Sequence, residues 1–183
     1  ENQMAAAAAR GDQAAFNELI RLCSRTIYNV AYRIVLNEQD ALDVTQNVYY
    51  RIASKLGDFR ATGSFRSWTA AIAAREAINH VRSPHHREIA TEQETLELVS
   101  ETDAGRSAAN PRELAVENEQ REIILEAMGS LSEQQRGILT LRLLEGLGPK
   151  EIASVLDIPA TQVRSQTHRA MDRIKGFLKR TVE

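Results

Sequence analysis

The side chains with the clearest chemistry lie near the C-terminal end of the chain, on one face of a predicted helix. All of them can donate or accept hydrogen bonds: Thr161, Gln162, Arg164, Ser165, His168 and Arg169. Arginine can bridge O6 and N7 of guanine, glutamine can pair with adenine, and serine or threonine can bind a phosphate. The set therefore predicts contact with duplex DNA. The alternative is the solvated polar face that any amphipathic helix has.

A helix-turn-helix is predicted to position this set. Residues 149–156 have the apolar spacing of a short helix, and Pro149 suits its first turn. A break follows at 157–159, and the apolar residues of the next helix include Val163 and Ala170. In a helix-turn-helix the first turns of the second helix enter the major groove. The polar set lies on those turns.

Composition predicts an all-α protein with two basic parts. Of the 183 residues, 43% are hydrophobic and 26% charged, and no strand-like alternation is sustained. The net charge of −2 hides a segregation of charge. Residues 51–83 carry six basic and two acidic side chains, residues 150–183 carry seven and four, and residues 84–118 carry three and eight. Two basic blocks joined by an acidic stretch fit a nucleic-acid binder.

The sequence contains no motif of a catalytic site. It has no nucleophile–base pair and no metal-ligand spacing, and the Gly-Leu-Gly at 146–148 lacks the Gly-Lys-Ser/Thr of a phosphate loop. We therefore expect no catalytic residue, no cofactor, no metal and no small-molecule substrate. The single cysteine, Cys23, lies among apolar residues and is expected in the core. No apolar run approaches about 18 residues, so we expect a cytoplasmic protein without membrane insertion.

The periodicity predicts three N-terminal helices. Asp12 caps the first, Asp40 begins the second, and the third runs from Trp68 until Pro84 stops it, with a polar loop over 58–67. Further on, Ser132 and Gln135 form a capping-box pair, and the helix after them is expected to turn Ile138, Leu139, Leu141, Leu143 and Leu144 inward.

These elements divide the chain into two small helical domains. We predict one over 1–83 and another over 114–183, with a flexible acidic linker over 84–113. Residues 84–113 lack an apolar face, so they can be a solvated spacer.

Two blocks of the sequence resemble the sigma-70 family of RNA polymerase initiation factors. The C-terminal block has the family's "EG", "EIA" and "RA" places at Glu145–Gly146, Glu151–Ile152–Ala153 and Arg169–Ala170. The N-terminal block is similar to the family's core-binding helix and the loop and helix that read the −10 element, with matches that include Asp40, Ala41, Asp43, Gln46, Arg51, Phe59, Phe65, Arg66 and Trp68. Two such domains without larger ones resemble the extracytoplasmic-function (ECF) group.

The resemblance assigns roles to both domains. The C-terminal set would read the −35 element, and the N-terminal domain would hold unstacked −10 bases through Phe59, Arg60, Thr62, Ser64, Phe65, Arg66, Arg75, Asn79 and Arg82. Aromatic walls and a positive surface suit that task. For Trp68 we favour a place in the core. The linker would thread the basic cleft of the polymerase, a role for which a solvated spacer is the alternative.

Core polymerase would contact Asp40, Asp43, Gln46 and Asn47. Leu42 and Asn47 stand where the family usually has acids, so this face is less negative than usual. Phosphorylation of Thr45 would add negative charge there. We take that control as a hypothesis.

The resemblance implies three partners: core RNA polymerase, promoter DNA and an anti-sigma protein. Two other classes remain open from the residues. A stand-alone helix-turn-helix regulator with a helical sensor domain would bind promoter DNA tightly without polymerase. A helical adaptor would not respond to charge reversal at Arg164 and Arg169.

Overall fold

A computed structural model describes residues 1–61, 63–83 and 122–182, and all regular structure in these ranges is helical. The helices are α1 (Asn2–Ala9), α2 (Gln13–Val35), α3 (Glu38–Lys55), a 3-10 turn (Leu56–Asp58), α4 (Phe65–Arg82), α5 (described over 122–129), α6 (Glu133–Leu143), α7 (Pro149–Leu156) and α8 (Ala160–Val182). The all-α prediction is confirmed. The predicted linker, and residues 114–121 of the second predicted domain, lie outside the described residues.

The helix α2 organises the N-terminal half. It begins at Asp12, whose carboxylate accepts a hydrogen bond from the Ala15 amide at 3.0 Å, as the sequence predicted. Its apolar stripe is largely buried, and Leu19, Ile27 and Ile34 in it are fully buried. Both α3 and α4 pack against this stripe, and α1 packs along another side of α2. The core of this half therefore lies between three helices.

Two helices begin earlier than their apolar spacing predicted. The side chain of Asn37 caps α3 by accepting from the Asp40 amide at 3.0 Å, so Asp40 lies inside the first turn. Ser64 caps α4 by accepting from the Ser67 amide at 3.0 Å, so α4 begins at Phe65 rather than at Trp68. The predicted loop is shorter because a serine satisfies the free amides of the helix start.

The C-terminal half begins with α5 and a capping box. Ser132 accepts from the Gln135 amide at 3.3 Å, and the Gln135 side chain accepts from the Ser132 amide at 3.2 Å, as predicted. The inward placement of Leu143 and Leu144 was wrong, because their exposed fractions are 64% and 47%. Leu143 lies two residues, about 200° of helix rotation, after the buried Leu141, so it faces the opposite side.

The two halves pack directly on each other. Helix α6 lies against α2 and α4, and α7 lies against α4. Buried residues of both halves, among them Ile138, Leu141 and Ile152 of the second, belong to one apolar cluster. None of the helices in the described ranges combines the length and hydropathy that crossing a membrane requires.

We predict that Phe65→Ala lowers the free energy of unfolding by about 3–5 kcal/mol, because it leaves a cavity at a fully buried aromatic site. Phe65 is 0% exposed and its ring meets those of Phe59 and Trp68 at 5.3 and 5.4 Å. Urea denaturation followed by circular dichroism measures the loss. The control is Tyr50→Ala, which changes a side chain that is 76% exposed and should shift stability by about 0.5 kcal/mol or less. Equal losses for the two variants would contradict the packing described here.

Candidate nucleic-acid interface

The N-terminal turns of α8 present the predicted DNA-reading set to solvent. Five of its six members are exposed and Gln162 is half-buried; the exposed ones are Thr161, Arg164, Ser165, His168 and Arg169. Val163 and Ala170, both 0% exposed, hold the opposite face of the helix in the core. The first two turns of α8 can therefore enter a major groove without any repacking of the domain.

A tight turn sets the angle between α7 and α8. Asp157 ends α7 in the left-handed region at φ 53°, and its amide donates to the carbonyl of Ala153. The amide of Ile158 donates to the same carbonyl at 3.1 Å. At the start of α7, Glu151 accepts from the amide of Gly148 at 2.7 Å. Both ends of the short helix are thus fixed, and with them the direction of the helix that follows.

Two polar residues of α8 that the sequence analysis missed lie beside the predicted set. Gln166 and Arg173 line an open groove of about 520 Å³ together with Arg169, Asp172 and the start of α6 at Ser132 and Gln135. The Gln135 amide nitrogen donates to the Gln166 side-chain carbonyl at 2.9 Å. The sequence spacing could have identified both residues. Gln166 follows Gln162 by four residues and Arg173 follows Arg169 by four, so each lies on the same helical face as a member of the predicted set.

The aromatic residues at the start of α4 and in the loop before it pack into a cluster and do not form an exposed aromatic surface. The rings of Phe59, Phe65 and Trp68 lie 5.3–5.4 Å apart, with Phe59 edge-on to Phe65. Phe65 is fully buried, so its predicted contact with a base does not fit this structure. Phe59 and Trp68 are half-buried. Trp68 packs against the core, as we favoured, and so does Phe59; part of each side chain remains exposed.

Three of the arginines predicted to bind −10 DNA have partners within the protein. Arg66 Nε donates to Thr26 Oγ1 at 2.9 Å, Arg75 donates to backbone carbonyls of α7, and Arg82 Nε lies 3.0 Å from Glu133 Oε1. The remaining members of that set, Arg60, Ser64 and Asn79, are exposed. Thr62 lies outside the described residues.

The predicted polymerase-binding residues occupy one side of α3. Asp43, Gln46 and Asn47 are exposed, whereas Asp40 is half-buried with Oδ1 3.0 Å from His80 Nε2. Two apolar side chains that the prediction did not include are exposed on this helix, Leu42 at 43% and Tyr50 at 76%. This side of α3 therefore combines an acid, two amides and two apolar side chains.

Thr45 does not belong to that surface. Its side chain is 7% exposed, and Oγ1 donates to the Ala41 carbonyl at 2.7 Å within the helix. A kinase cannot reach a hydroxyl that faces the core between α2, α3 and α4. The structure speaks against phosphorylation of Thr45 in the folded chain.

Two family comparisons match these halves of the chain. The family described as Sigma-70 region 2 matches residues 19–87, and the family described as Sigma-70, region 4 matches residues 121–174. The chain is 31% identical over 167 residues to the ECF RNA polymerase sigma-E factor of Escherichia coli. This match covers 90% of this chain and 87% of that protein. It is 30% identical over 182 residues to the RNA polymerase sigma-H factor of Pseudomonas aeruginosa, covering 97% and 93%.

Solved structures share the fold. The sigma factor RpoE from Bartonella quintana, in complex with the anti-sigma factor NepR, has a TM-score of 0.65 at 18% identity and covers 90% of this chain and 96% of that one. CnrH, in complex with the cytosolic domain of CnrY, has a TM-score of 0.62 at 22% identity and covers 96% and 95%.

We predict that Thr45→Glu lowers the free energy of unfolding by about 2–4 kcal/mol, because it forces a carboxylate into the helical core. Asn47→Glu places the same charge on the exposed side of α3 and should leave stability within about 0.5 kcal/mol of wild type. Urea titrations of both variants give the comparison. A Thr45→Glu protein as stable as the Asn47→Glu protein would show that Thr45 opens readily to solvent.

Proposed function

Because the chain belongs to the sigma-70 family of RNA polymerase initiation factors, in the ECF group, we propose that it directs polymerase to promoters through two separate DNA contacts. Residues 1–83 bind core enzyme and the −10 element, and residues 114–183 bind the −35 element. The single observation that supports this assignment is that one chain holds a region 2 domain and a region 4 domain, each with a block in which basic side chains outnumber acidic ones. The protein is a specificity subunit without catalysis of its own.

The −35 contact uses the first turns of α8. Arg164 and Arg169 read guanine edges in the major groove, while Thr161 and Ser165 bind the backbone beside them. Gln166 and Arg173 add donors next to the start of α6, where free amides of a helix N-terminus favour a phosphate. In support, Thr161, Arg164, Ser165 and Arg169 are exposed on one face of α8.

The −10 contact uses the loop before α4 and the exposed side of α4. Phe59 offers an accessible ring for a base, and Arg60, Asn79 and the arginines of α4 offer donors to the strand. Because Phe65 is buried, we assign it the role of supporting Phe59 and Trp68. The buried ring of Phe65 packs against both of these half-buried rings and so gives Phe59 a fixed position.

Two protein partners complete the proposal. Core polymerase binds α3 through Asp43, Gln46 and Asn47, with Leu42 and Tyr50 adding apolar contact in place of the acids usual in the family. We also propose control by an anti-sigma protein, since the similar RpoE structure described above is a sigma factor in complex with an anti-sigma factor. All these partners place the site of action in the cytoplasm.

We expect the purified chain to give core polymerase the ability to start at defined promoters and to bind the same duplex DNA only weakly when alone. The test is in vitro transcription of genomic fragments with core enzyme, with and without the protein, followed by sequencing of transcript ends. Tight promoter binding without polymerase would instead identify a stand-alone regulator. No start-site choice and no binding to core would overturn the proposed function.

We predict that Arg164→Ala and Arg169→Ala each weaken use of the −35 element by about 1–3 kcal/mol, roughly 5- to 150-fold in promoter affinity. Removing an arginine that reads a base should also relax the base preference at one promoter position. Lys179→Ala, near the far end of the same helix, is the matched control and should behave as wild type. Transcription from a library of −35 variants measures both effects. Equal activity of all three variants would contradict the assignment of α8.

A further inference from the structure

The first turn of α6 faces a row of polar side chains on α8. Its members follow one another by four, three and four residues and so share one side of the helix: Gln162, Gln166, Arg169 and Arg173. Two hydrogen bonds join this row to α6. Gln135 donates to Gln166 at 2.9 Å, and Gln162 donates to Gln134 at 3.4 Å. Glutamines of α6 therefore contact glutamines in the first two turns of α8.

The two ends of a glutamine amide have opposite hydrogen-bonding roles. The oxygen only accepts hydrogen bonds and the NH2 group only donates them, although the two ends have nearly the same size. A glutamine that meets DNA therefore offers either a donor or an acceptor, according to how its amide is turned. A phosphate oxygen needs the donor, because it has no hydrogen to give. The residue that turns the amide thus decides which contact the glutamine can make.

The backbone amide of Ser132 fixes the orientation of the Gln135 side chain. A backbone N–H can only donate, and this one lies 3.2 Å from Gln135 Oε1 in the capping box. Because Oε1 accepts this bond, Nε2 is the atom that Gln135 directs at α8. Gln135 is only 6% exposed. Turning its amide over would place two donors against each other in a buried site, which costs the bond and leaves both donors unsatisfied.

Gln135 in turn fixes the amide of Gln166. Gln135 Nε2 donates to Gln166 Oε1, so the oxygen of Gln166 faces α6 and its NH2 group lies on the other side of the amide. Within the described part of the chain, no acceptor binds that NH2 group. Two successive hydrogen bonds, from Ser132 to Gln135 and from Gln135 to Gln166, form a relay that leaves a free donor on α8.

The groove beside Gln166 suits an anion. Arg169 and Arg173 line it together with Gln166, and both arginines are exposed. Asp172 is the acid among the lining residues, and its Oδ2 lies 3.4 Å from His168 Nε2. An NH2 group beside two guanidinium groups can join them in binding one phosphate, because all three groups donate hydrogen bonds.

We propose that Gln135 is a positioning residue for the −35 contact. It turns the Gln166 amide so that the NH2 group, and not the oxygen, meets a phosphate of the DNA backbone. Gln135 acts only through Gln166, because its own side chain is buried. Only the DNA contact rests on the proposed function; the relay from Ser132 to Gln166 is independent of it.

The variant Gln135→Glu reverses the second bond of the relay. Glutamate also forms a capping box with serine, so Ser132 keeps its acceptor and the fold should remain as stable as wild type. A carboxylate has no hydrogen to donate, so Gln166 has to turn its NH2 group toward α6 and its oxygen toward the groove. Gln134→Glu is the matched control. It adds the same charge in the same helical turn, and its carboxylate still accepts from Gln162, so no amide turns.

Solvent exchange of the side-chain amide protons tests the relay without DNA. A proton–nitrogen correlation spectrum of the full chain resolves these groups, and Gln166→Ala identifies the signals of Gln166 by their loss. In the wild type we expect fast exchange for the NH2 group of Gln166. Gln135→Glu should slow that exchange, whereas Gln134→Glu should leave it unchanged. The same exchange rate at Gln166 in all three proteins would overturn the relay.

Promoter binding by the assembled holoenzyme tests the DNA contact. Each variant is combined with core polymerase, and its affinity is measured at fixed salt on one promoter selected by the transcription assay described above. We expect Gln135→Glu to bind about tenfold more weakly than Gln134→Glu, because it loses a hydrogen bond to a charged group. In a Gln166→Ala background the same two changes should bind equally, since no amide is left to turn. Equal binding with Gln166 present, or a difference that persists without it, would overturn the positioning role.

Gln166→Glu gives a second route if Gln135→Glu is less stable in urea. It keeps an oxygen toward Gln135 and puts another where the NH2 group was. It should therefore bind about tenfold or more below Gln134→Glu. Affinity as high as that of Gln134→Glu would contradict a donor contact at Gln166.

A library of −35 sequences separates a phosphate contact from a base contact. A loss that is uniform across the library supports the phosphate, whereas a changed preference at one position would overturn that assignment. If the wild-type holoenzyme selects no promoter, the proposed function fails, and the exchange rates still decide whether Gln135 turns Gln166.

Discussion

The relative position of the two halves depends on one requirement, that the carbonyl groups at the end of a buried helix find hydrogen-bond donors. The requirement is met across the halves, by Arg136 at the end of α2 and Arg75 at the end of α7. Arg136 is only 9% exposed, and its burial lowers its pKa while the nearby Glu133 opposes the shift. It also donates to the carbonyl of Leu131 at 2.9 Å. A guanidinium keeps its proton at physiological pH, so removing the end of α2 would leave Arg136 as a buried cation without full compensation.

The same chemistry explains how one surface can serve two partners. Backbone carbonyls, carboxylates and phosphate oxygens all accept hydrogen bonds from arginine, and a flat fork of donors fits each of them. The arginines of α4 that we propose for contact with a DNA strand are therefore also suited to a helix end with carboxylates beside it. Among the described residues, no helix end of the other half covers the exposed polar face of α8 in this way.

Local features of the structure were largely predictable from the sequence, and features that depend on distant residues were not. Asp12 and the Ser132–Gln135 pair mark helix starts through bonds within four residues, which sequence spacing reveals. Phe65 was wrongly predicted to contact a base, because the sequence shows an aromatic residue beside arginines but does not show that its side chain is buried. A Cβ at Gly137 would lie 2.7 Å from Ile78 Cδ1 of another domain, and no periodicity within α6 reports that constraint. The exposed polar face of α8 could be predicted from the spacing within one helix, whereas the burial of Phe65 and the partners of the α4 arginines depend on the whole fold.

The core position of Cys23 bears on how the chain could receive signals. It is the only cysteine, it is 1% exposed, and burial raises the pKa of its thiol despite an opposing hydrogen bond with Thr69. Oxidants and electrophiles react with an accessible thiolate, and this sulfur is neither ionised nor accessible. Peroxide, disulfides and thiol-reactive metals therefore do not react directly with Cys23 in the folded chain. If such conditions change transcription by this factor, a separate redox-sensitive molecule has to relay them.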